Sequence, residues 1–190
     1  MAAPSWLTIP NVVSVARLML IPLFLWLVAI DEIGWAGVML GVIGLTDWID
    51  GYLARKLDQV SEVGKFLDPL ADRIAVAVAV IAGLITNVLP AWFGWGIILR
   101  ELLIVAGFFY GWTQGVKRLD VRMMGKWATF LLYVAITGLY IADGFEIDWL
   151  NALMLLTGVV GLVLYYAVGV AYLGDLREEA RRNKHVDPPG

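Results

Sequence analysis

Cysteine is absent from the 190 residues, histidine occurs once, and Asp, Glu, Lys and Arg together make up only 16% of the chain. Without cysteine there is no disulfide, no thiolate metal site and no clue to the redox compartment. The one histidine, His185, lies in a polar C-terminal stretch, so a catalytic or metal site built on imidazole is excluded by count. Fourteen Lys and Arg against seventeen Asp and Glu leave a formal charge of −3, which offers no basic footprint for nucleic acid. Nucleic acid is not an expected partner. Soluble domains carry about 25% charged residues and about 45–50% apolar ones. A water-soluble globule is therefore excluded, because 61% of these residues are apolar and the mean hydropathy is +0.79. Disorder, collagen and coiled coil fail for want of the polarity or the period that each requires.

What is present is a series of long, continuously apolar runs. Outer-membrane barrels alternate apolar and polar residues over short segments, so a barrel does not fit. With ~20 apolar residues needed per span, the expectation is an all-α, polytopic membrane protein with six transmembrane helices. They are placed at Leu7–Ile30, Gly34–Leu57, Gly64–Asn87, Pro90–Gly115, Met123–Ala142 and Trp149–Leu173. Residues 1–174 form one membrane domain, and residues 175–190 form a polar cytoplasmic tail that frays at Pro188-Pro189. The first segment lacks a basic leader and a small-residue cleavage site, so it reads as a span rather than a signal peptide.

The basic residues orient the chain. The connections at Asp31-Glu32, Asn87–Ala91 and Asp143–Asp148 contain no Lys or Arg. The alternate connections hold Arg55, Lys56 and Lys65, then Lys117, Arg118, Arg122 and Lys126, and the tail holds Arg177, Arg181, Arg182 and Lys184. By the positive-inside rule these face the cytoplasm, and an even number of spans puts both termini there. The expected location is the cytoplasmic membrane, multi-pass. Close-spaced glycines (Gly37/Gly41/Gly44, Gly111/Gly115, Gly158/Gly161) suit close helix packing, and Trp6, Trp35, Trp92 and Trp149 fall near span ends as interfacial anchors.

The ionisable residues inside the spans carry most of the information, since a central Asp costs about 2.5–3.5 kcal/mol on insertion scales. Span two ends Asp47-Trp48-Ile49-Asp50-Gly51-Tyr52-Leu53-Ala54-Arg55, and span three begins Gly64-Lys65-Phe66-Leu67-Asp68-Pro69-Leu70-Ala71-Asp72-Arg73. Asp47 and Asp50 stand three apart, and Asp68 and Asp72 four apart, so each pair shares a helix face. The short connection forces an antiparallel hairpin that brings all four carboxylates to one level near the cytoplasmic interface. Four such charges repel in a low dielectric unless some are protonated or cations hold them together. Carboxylate oxygens suit Mg²⁺, Mn²⁺ or Ca²⁺, and a carboxylate-held pair of divalent ions is an arrangement used in phosphoryl transfer. Gly51 and Gly64 leave room for a nucleotide or pyrophosphate to approach the backbone. The competing explanation is an interfacial charge ring with Arg55, Lys56, Lys65 and Arg73. It accounts for one or two acids but not for four in register.

These residues together resemble the signature of the CDP-alcohol phosphatidyltransferases, D-x2-D-G-x2-A-R-x8-G-x3-D-x3-D. Asp47, Asp50, Gly51, Ala54, Arg55, Gly64, Asp68 and Asp72 meet it without insertion or substitution. The opening Thr8–Arg17 and the mid-membrane pair Arg100-Glu101 are similar to the glycerol-acceptor branch of that family. Read by themselves, Arg100 and Glu101 are buried charges that compensate one another or neighbouring helices.

The resemblance implies a fold and a reaction. A phosphatidyl group passes from CDP-diacylglycerol to an alcohol, with release of CMP. Asp47, Asp50, Asp68 and Asp72 would ligate two divalent cations, Mg²⁺ or Mn²⁺, and Asp72 would also act as general base. Gly51, Ala54, Arg55 and Gly64 would line the cytidine-diphosphate pocket. Lys117, Arg118, Arg122 and Lys126 would bind an acceptor phosphate, or else serve as ordinary positive-inside residues against anionic lipid. The stretch Gly125-Lys126-Trp127-Ala128-Thr129-Phe130 departs from the phosphatidylglycerophosphate-synthase pattern after its Lys and looks closer to the CMP-forming cardiolipin synthases. Phosphatidylglycerol is thus the expected acceptor, with glycerol 3-phosphate the alternative. The resemblance also implies a homodimer within membrane lipid. Two other classes use intramembrane Asp: polyprenyl-transferase-like enzymes, which need different motifs and more spans, and ion-coupled transporters, whose sites lie nearer the midplane.

Overall fold

The structure, a computed structural model, describes the backbone of residues 9–57, 62–113 and 123–186, and side chains chiefly of residues 18–46, 73–107 and 125–171. Among the described residues it is all-helical, with no strand. The helices are α1 (Ile9–Ala29), α2 (Ile33–Leu57), α3 (Glu62–Ile85), α4 (Ala91–Thr113), α5 (Met123–Gly144) and α6 (Asp148–Val186). Each matches an expected span to within a few residues at most ends. Among the described residues two stretches, Gly125–Gly144 and Asp148–Ala171, are long and apolar enough to cross a membrane.

The clear departure is α6. It does not stop at Leu173 but continues to Val186, through most of the polar tail. Its extension, Leu176-Arg177-Glu178-Glu179-Ala180-Arg181-Arg182, is built of strong helix formers, with Glu178 and Arg182 at the favourable four-residue spacing. Polarity had marked the end of the apolar span. It does not mark the end of the helix.

The cation-free turns are tight. After α1, Asp31 adopts a left-handed conformation (φ 64°). The N–H of Glu32 donates to the carbonyl of Leu27 at 2.9 Å, and that of Asp31 donates to Val28 at 3.1 Å. After α5, Glu146 (φ 54°) repeats this arrangement, with Ile147 N–H on Ala142 at 2.8 Å and its own N–H on Asp143 at 3.2 Å. Both are Schellman caps, which satisfy carbonyls the helix would leave orphaned and reverse the chain within three residues. Asn87 (φ 62°) turns the chain between α3 and α4.

Helix α5 is the hub: it packs against α2, α6 and α3, while α1 packs on α2 and α3, and α4 on α3 and α6. Glycine permits the closest approaches. A Cβ on Gly37 would meet the Ile141 backbone nitrogen at 2.7 Å, and Gly144 lies against the backbone of Gly34. That contact, with the Trp35–Phe145 ring pair at 6.0 Å, places the α1–α2 and α5–α6 turns side by side. Phe24, Leu40, Phe93, Leu139 and Tyr140 fill the centre and are essentially inaccessible. The outer faces carry Leu45, Leu102, Leu103, Trp95, Phe130 and Val163, all exposed. An apolar exterior of this extent is stable against lipid rather than water. Trp35, Trp92 and Trp149, each exposed, stand at the first turns of α2, α4 and α6.

Candidate active site

The motif falls on two helices that follow one another in the chain. Asp47, Asp50, Gly51, Ala54 and Arg55 lie in the last turns of α2, and Gly64, Asp68 and Asp72 lie in the first turns of α3. Their side chains lie outside the described residues, as do residues 58–61 that join the helices. At 1.5 Å per residue, Asp50 stands ~10 Å from the end of α2 and Asp68 ~9 Å from the start of α3. The helical backbone through both segments keeps Asp47 with Asp50, and Asp68 with Asp72, on common helix faces.

Of the basic cluster, Lys117, Arg118 and Arg122 lie outside the described residues, and Lys126 is exposed on the first turn of α5. Among the described residues no group of three His, Asp or Glu is placed to hold a metal ion. The acidic recess lined by Asp143, Glu146, Asp148 and Asn151 belongs to the α5–α6 turn. That turn adjoins Gly34, at the opposite end of α2 from Asp47 and Asp50, so the recess is remote from the motif.

One residue beyond the motif, a polar assembly crosses three helices. Arg73 of α3 donates from Nη1 to Glu101 Oε2 of α4 at 3.2 Å. Arg100 donates from Nη1 to Glu101 Oε1 at 3.2 Å, and the Tyr165 hydroxyl of α6 donates to the same oxygen. The Arg100 guanidinium sits 3.1 Å from the centroid of the Tyr165 ring, a stacked cation–π contact. Arg100 is buried and its Nε has no partner, whereas the Arg73 side chain is 61% exposed. Next to the assembly, the Tyr166 hydroxyl donates to the Gly96 carbonyl at 2.7 Å, a second tie between α6 and α4.

Compensation of Arg100 by Glu101 was legible in the sequence, because adjacent opposite charges inside an apolar run have few other partners. The joining of Arg73 and Tyr165 to the same carboxylate was not. Arg73 was also grouped with cations that could screen the aspartates, whose side chains lie outside the described residues; among the described residues its partner is Glu101.

A sequence model of the CDP-alcohol phosphatidyltransferase family matches residues 7–170. The chain is 35% identical over 193 aligned positions to a protein of Streptomyces coelicolor named cardiolipin synthase (CMP-forming), covering 95% of this chain and 88% of that one. It is 35% identical over 147 positions to the CDP-diacylglycerol–glycerol-3-phosphate 3-phosphatidyltransferase of Bacillus subtilis, covering 69% of this chain and 75% of that one. A chloroplastic/mitochondrial enzyme of Arabidopsis thaliana with the same activity in its name is 32% identical over 164 positions, covering 77% of this chain and 55% of that one. The match of motif, helical frame and near-complete sequence leads to one conclusion: the chain belongs to the CDP-alcohol phosphatidyltransferase family.

Proposed function

We propose that the protein transfers the phosphatidyl group of CDP-diacylglycerol to a hydroxyl of phosphatidylglycerol, forming cardiolipin and releasing CMP. The observation that carries this reading is the eight-residue pattern, complete and ungapped, at the end of α2 and the start of α3, the next helix in the chain. In the transfer, the acceptor oxygen bonds to the lipid-side phosphorus of the pyrophosphate. The bond from that phosphorus to CMP breaks, and the hydroxyl proton passes to Asp72.

An alcohol is a weak nucleophile, and a carboxylate within hydrogen-bond reach removes its proton as the new bond forms. Asp47, Asp50, Asp68 and Asp72 supply only hard oxygen donors, in a chain without cysteine and with its one histidine in the tail, which suits Mg²⁺ or Mn²⁺. When bound, two such cations would neutralise charge on the pyrophosphate and on departing CMP. Gly51, Ala54 and Arg55 line the cytidine-diphosphate pocket, Arg55 as a permanently charged group beside its phosphates, and Gly64 keeps it open.

The six helices all span the cytoplasmic membrane, with both termini and the aspartates on the cytoplasmic side, and the protein works as a homodimer. The three cation-free turns support this orientation, and Trp35, Trp92 and Trp149 suit anchors at the membrane interface. The face suits the products, since CMP leaves to water while the acyl chains stay in lipid. Lys117, Arg118, Arg122 and Lys126 lie on the same side and hold the acceptor phosphate by charge-assisted hydrogen bonds.

Similarity across nearly the whole chain to the Streptomyces cardiolipin synthase favours phosphatidylglycerol. Glycerol 3-phosphate, giving phosphatidylglycerophosphate, is the second reading, supported by the Bacillus relative. CMP release from CDP-diacylglycerol with Mg²⁺ or Mn²⁺ separates them. Release that requires phosphatidylglycerol supports cardiolipin synthesis, and release that requires glycerol 3-phosphate supports the second reading. Absence of release with either acceptor rejects both.

A further inference from the structure

The proposed reaction needs Asp68 and Asp72 presented at a fixed height and rotation of α3. We propose that Glu101 is a positioning residue for phosphatidyl transfer: through Arg73 it holds the part of α3 that carries those two aspartates. This inference rests on the reaction proposed above.

Arg73 follows Asp72 directly, so ~1.5 Å of rise and ~100° of rotation separate them. Whatever fixes the Arg73 side chain also fixes α3 at the level of Asp72. Glu101 is well placed to do this because it is itself held from two sides. Its Oε1 accepts from Arg100 at 3.2 Å and from the Tyr165 hydroxyl, leaving Oε2 to take Arg73 at 3.2 Å. Arg100 in turn is buried and stacked on the Tyr165 ring. A buried frame on α4 and α6 thus projects one carboxylate oxygen toward α3.

The exposure of Arg73 argues that the pair does more than stabilise. An ion pair this open adds little to folding stability. The anchors of α3 lie further along it: Ala75, Ala79 and Val80 are buried, and the Ala79 carbonyl accepts from Tyr140 at 2.8 Å. Loss of the Arg73–Glu101 contact leaves those anchors in place and loosens α3 where it carries the motif. Among the described residues Glu101 is the carboxylate partner of both Arg73 and Arg100, so neutralising it removes both of these ion pairs. Catalytic groups tolerate errors of only about 0.5 Å, and ~1 Å of displacement can cost on the order of 100-fold in rate.

The test uses the full chain in lipid vesicles. For wild type, Glu101→Gln, Arg73→Gln, the double variant and Tyr165→Phe, it measures kcat, the KM for CDP-diacylglycerol, the Mg²⁺ or Mn²⁺ concentration giving half-maximal CMP release, and the unfolding temperature. Glu101→Gln should lower kcat by roughly tenfold or more and raise the half-maximal metal concentration several-fold, with the lipid KM within about twofold. The double variant should be no worse than either single one, because both break the same contact. Tyr165→Phe should act in the same direction and less strongly. A lowered unfolding temperature with unchanged kcat and metal requirement overturns the inference, since it leaves only a stabilising ion pair. A raised lipid KM with intact kcat overturns it in favour of substrate binding. Where Glu101→Gln does not fold, Tyr165→Phe, which removes a single hydroxyl, decides by the same readouts. A wild type that releases no CMP defeats the underlying reaction, whereas an active wild type matched by Glu101→Gln defeats the positioning role alone.

Discussion

The hydroxyl of Tyr140, on α5, donates to the backbone carbonyl of Ala79, on α3, at 2.8 Å, with both residues almost wholly buried. The Tyr140 ring also meets Phe24 of α1 edge-to-face, at 5.5 Å between centroids. One side chain therefore joins three helices, by a hydrogen bond at its tip and by packing along its body. The two contributions differ in size. Interhelical hydrogen bonds in membrane proteins average about 0.6 kcal/mol, and removal of a large buried aromatic costs about 3–5 kcal/mol. Tyr140→Phe should therefore lose about 1 kcal/mol or less, and Tyr140→Ala several times more, in unfolding experiments on the detergent-solubilised protein. Equal losses would mean that the hydroxyl, not the ring, dominates.

Two glycines on one helix should respond in opposite ways. At Gly37 an added methyl would lie 2.7 Å from the Ile141 nitrogen and 2.8 Å from the Tyr140 Cβ, contacts that backbone cannot easily yield. At Gly41 the nearest atom is the Thr137 methyl at 3.7 Å, an ordinary contact. Gly37→Ala should cost about 1–3 kcal/mol by forcing α2 from α5. Gly41→Ala should be neutral or stabilising by up to about 1 kcal/mol, through helix propensity alone. Unfolding of the two variants side by side checks the contrast.

The α5–α6 turn holds a residue in a conformation that L side chains adopt at a cost. Glu146 sits at φ 54° in the left-handed position of the cap, where glycine is the usual occupant. Glu146→Gly should stabilise by up to about 1 kcal/mol. Glu146→Gln, which removes the charge and keeps the strain, serves as the control. A gain from Gln equal to that from Gly would assign the effect to charge among Asp143, Glu146 and Asp148 instead of the backbone.

Much of this architecture was legible because it depends on local pattern. An apolar run of span length does not care what it packs against, so the six helices and the cation-free turns could be placed directly. The aspartate pairs were legible for a related reason: spacings of three and four need only a helix to share a face. The Arg73–Glu101–Tyr165 assembly was not, because it draws on α3, α4 and α6, and nothing in one helix says which others stand beside it. The extension of α6 was missed because hydropathy reports where lipid ends, whereas Glu178, Ala180 and Arg181 go on favouring helix in water. Gly37 and Gly41 look alike in sequence and differ only in what α5 brings against them.

At the motif, Asp72 has two proposed tasks, as a metal ligand shared with Asp47, Asp50 and Asp68 and as the base that takes the acceptor proton. Asp72→Asn keeps the size and one coordinating oxygen but cannot accept that proton. It should abolish transfer, with a loss on the order of 100-fold or more, while metal-dependent binding of CMP or CDP-diacylglycerol largely survives. Asp50→Asn should weaken both together. Parallel loss of binding and turnover in Asp72→Asn would remove the separate base from the mechanism.

The account is tested most directly by product formation in vesicles that contain the purified chain, labelled CDP-diacylglycerol, phosphatidylglycerol and Mn²⁺ or Mg²⁺. Cardiolipin and CMP should appear in equal amounts, cease on chelation of the divalent ion, and return when it is restored. Absence of CMP under all these conditions, or CMP formation that persists undiminished after chelation, would contradict the account.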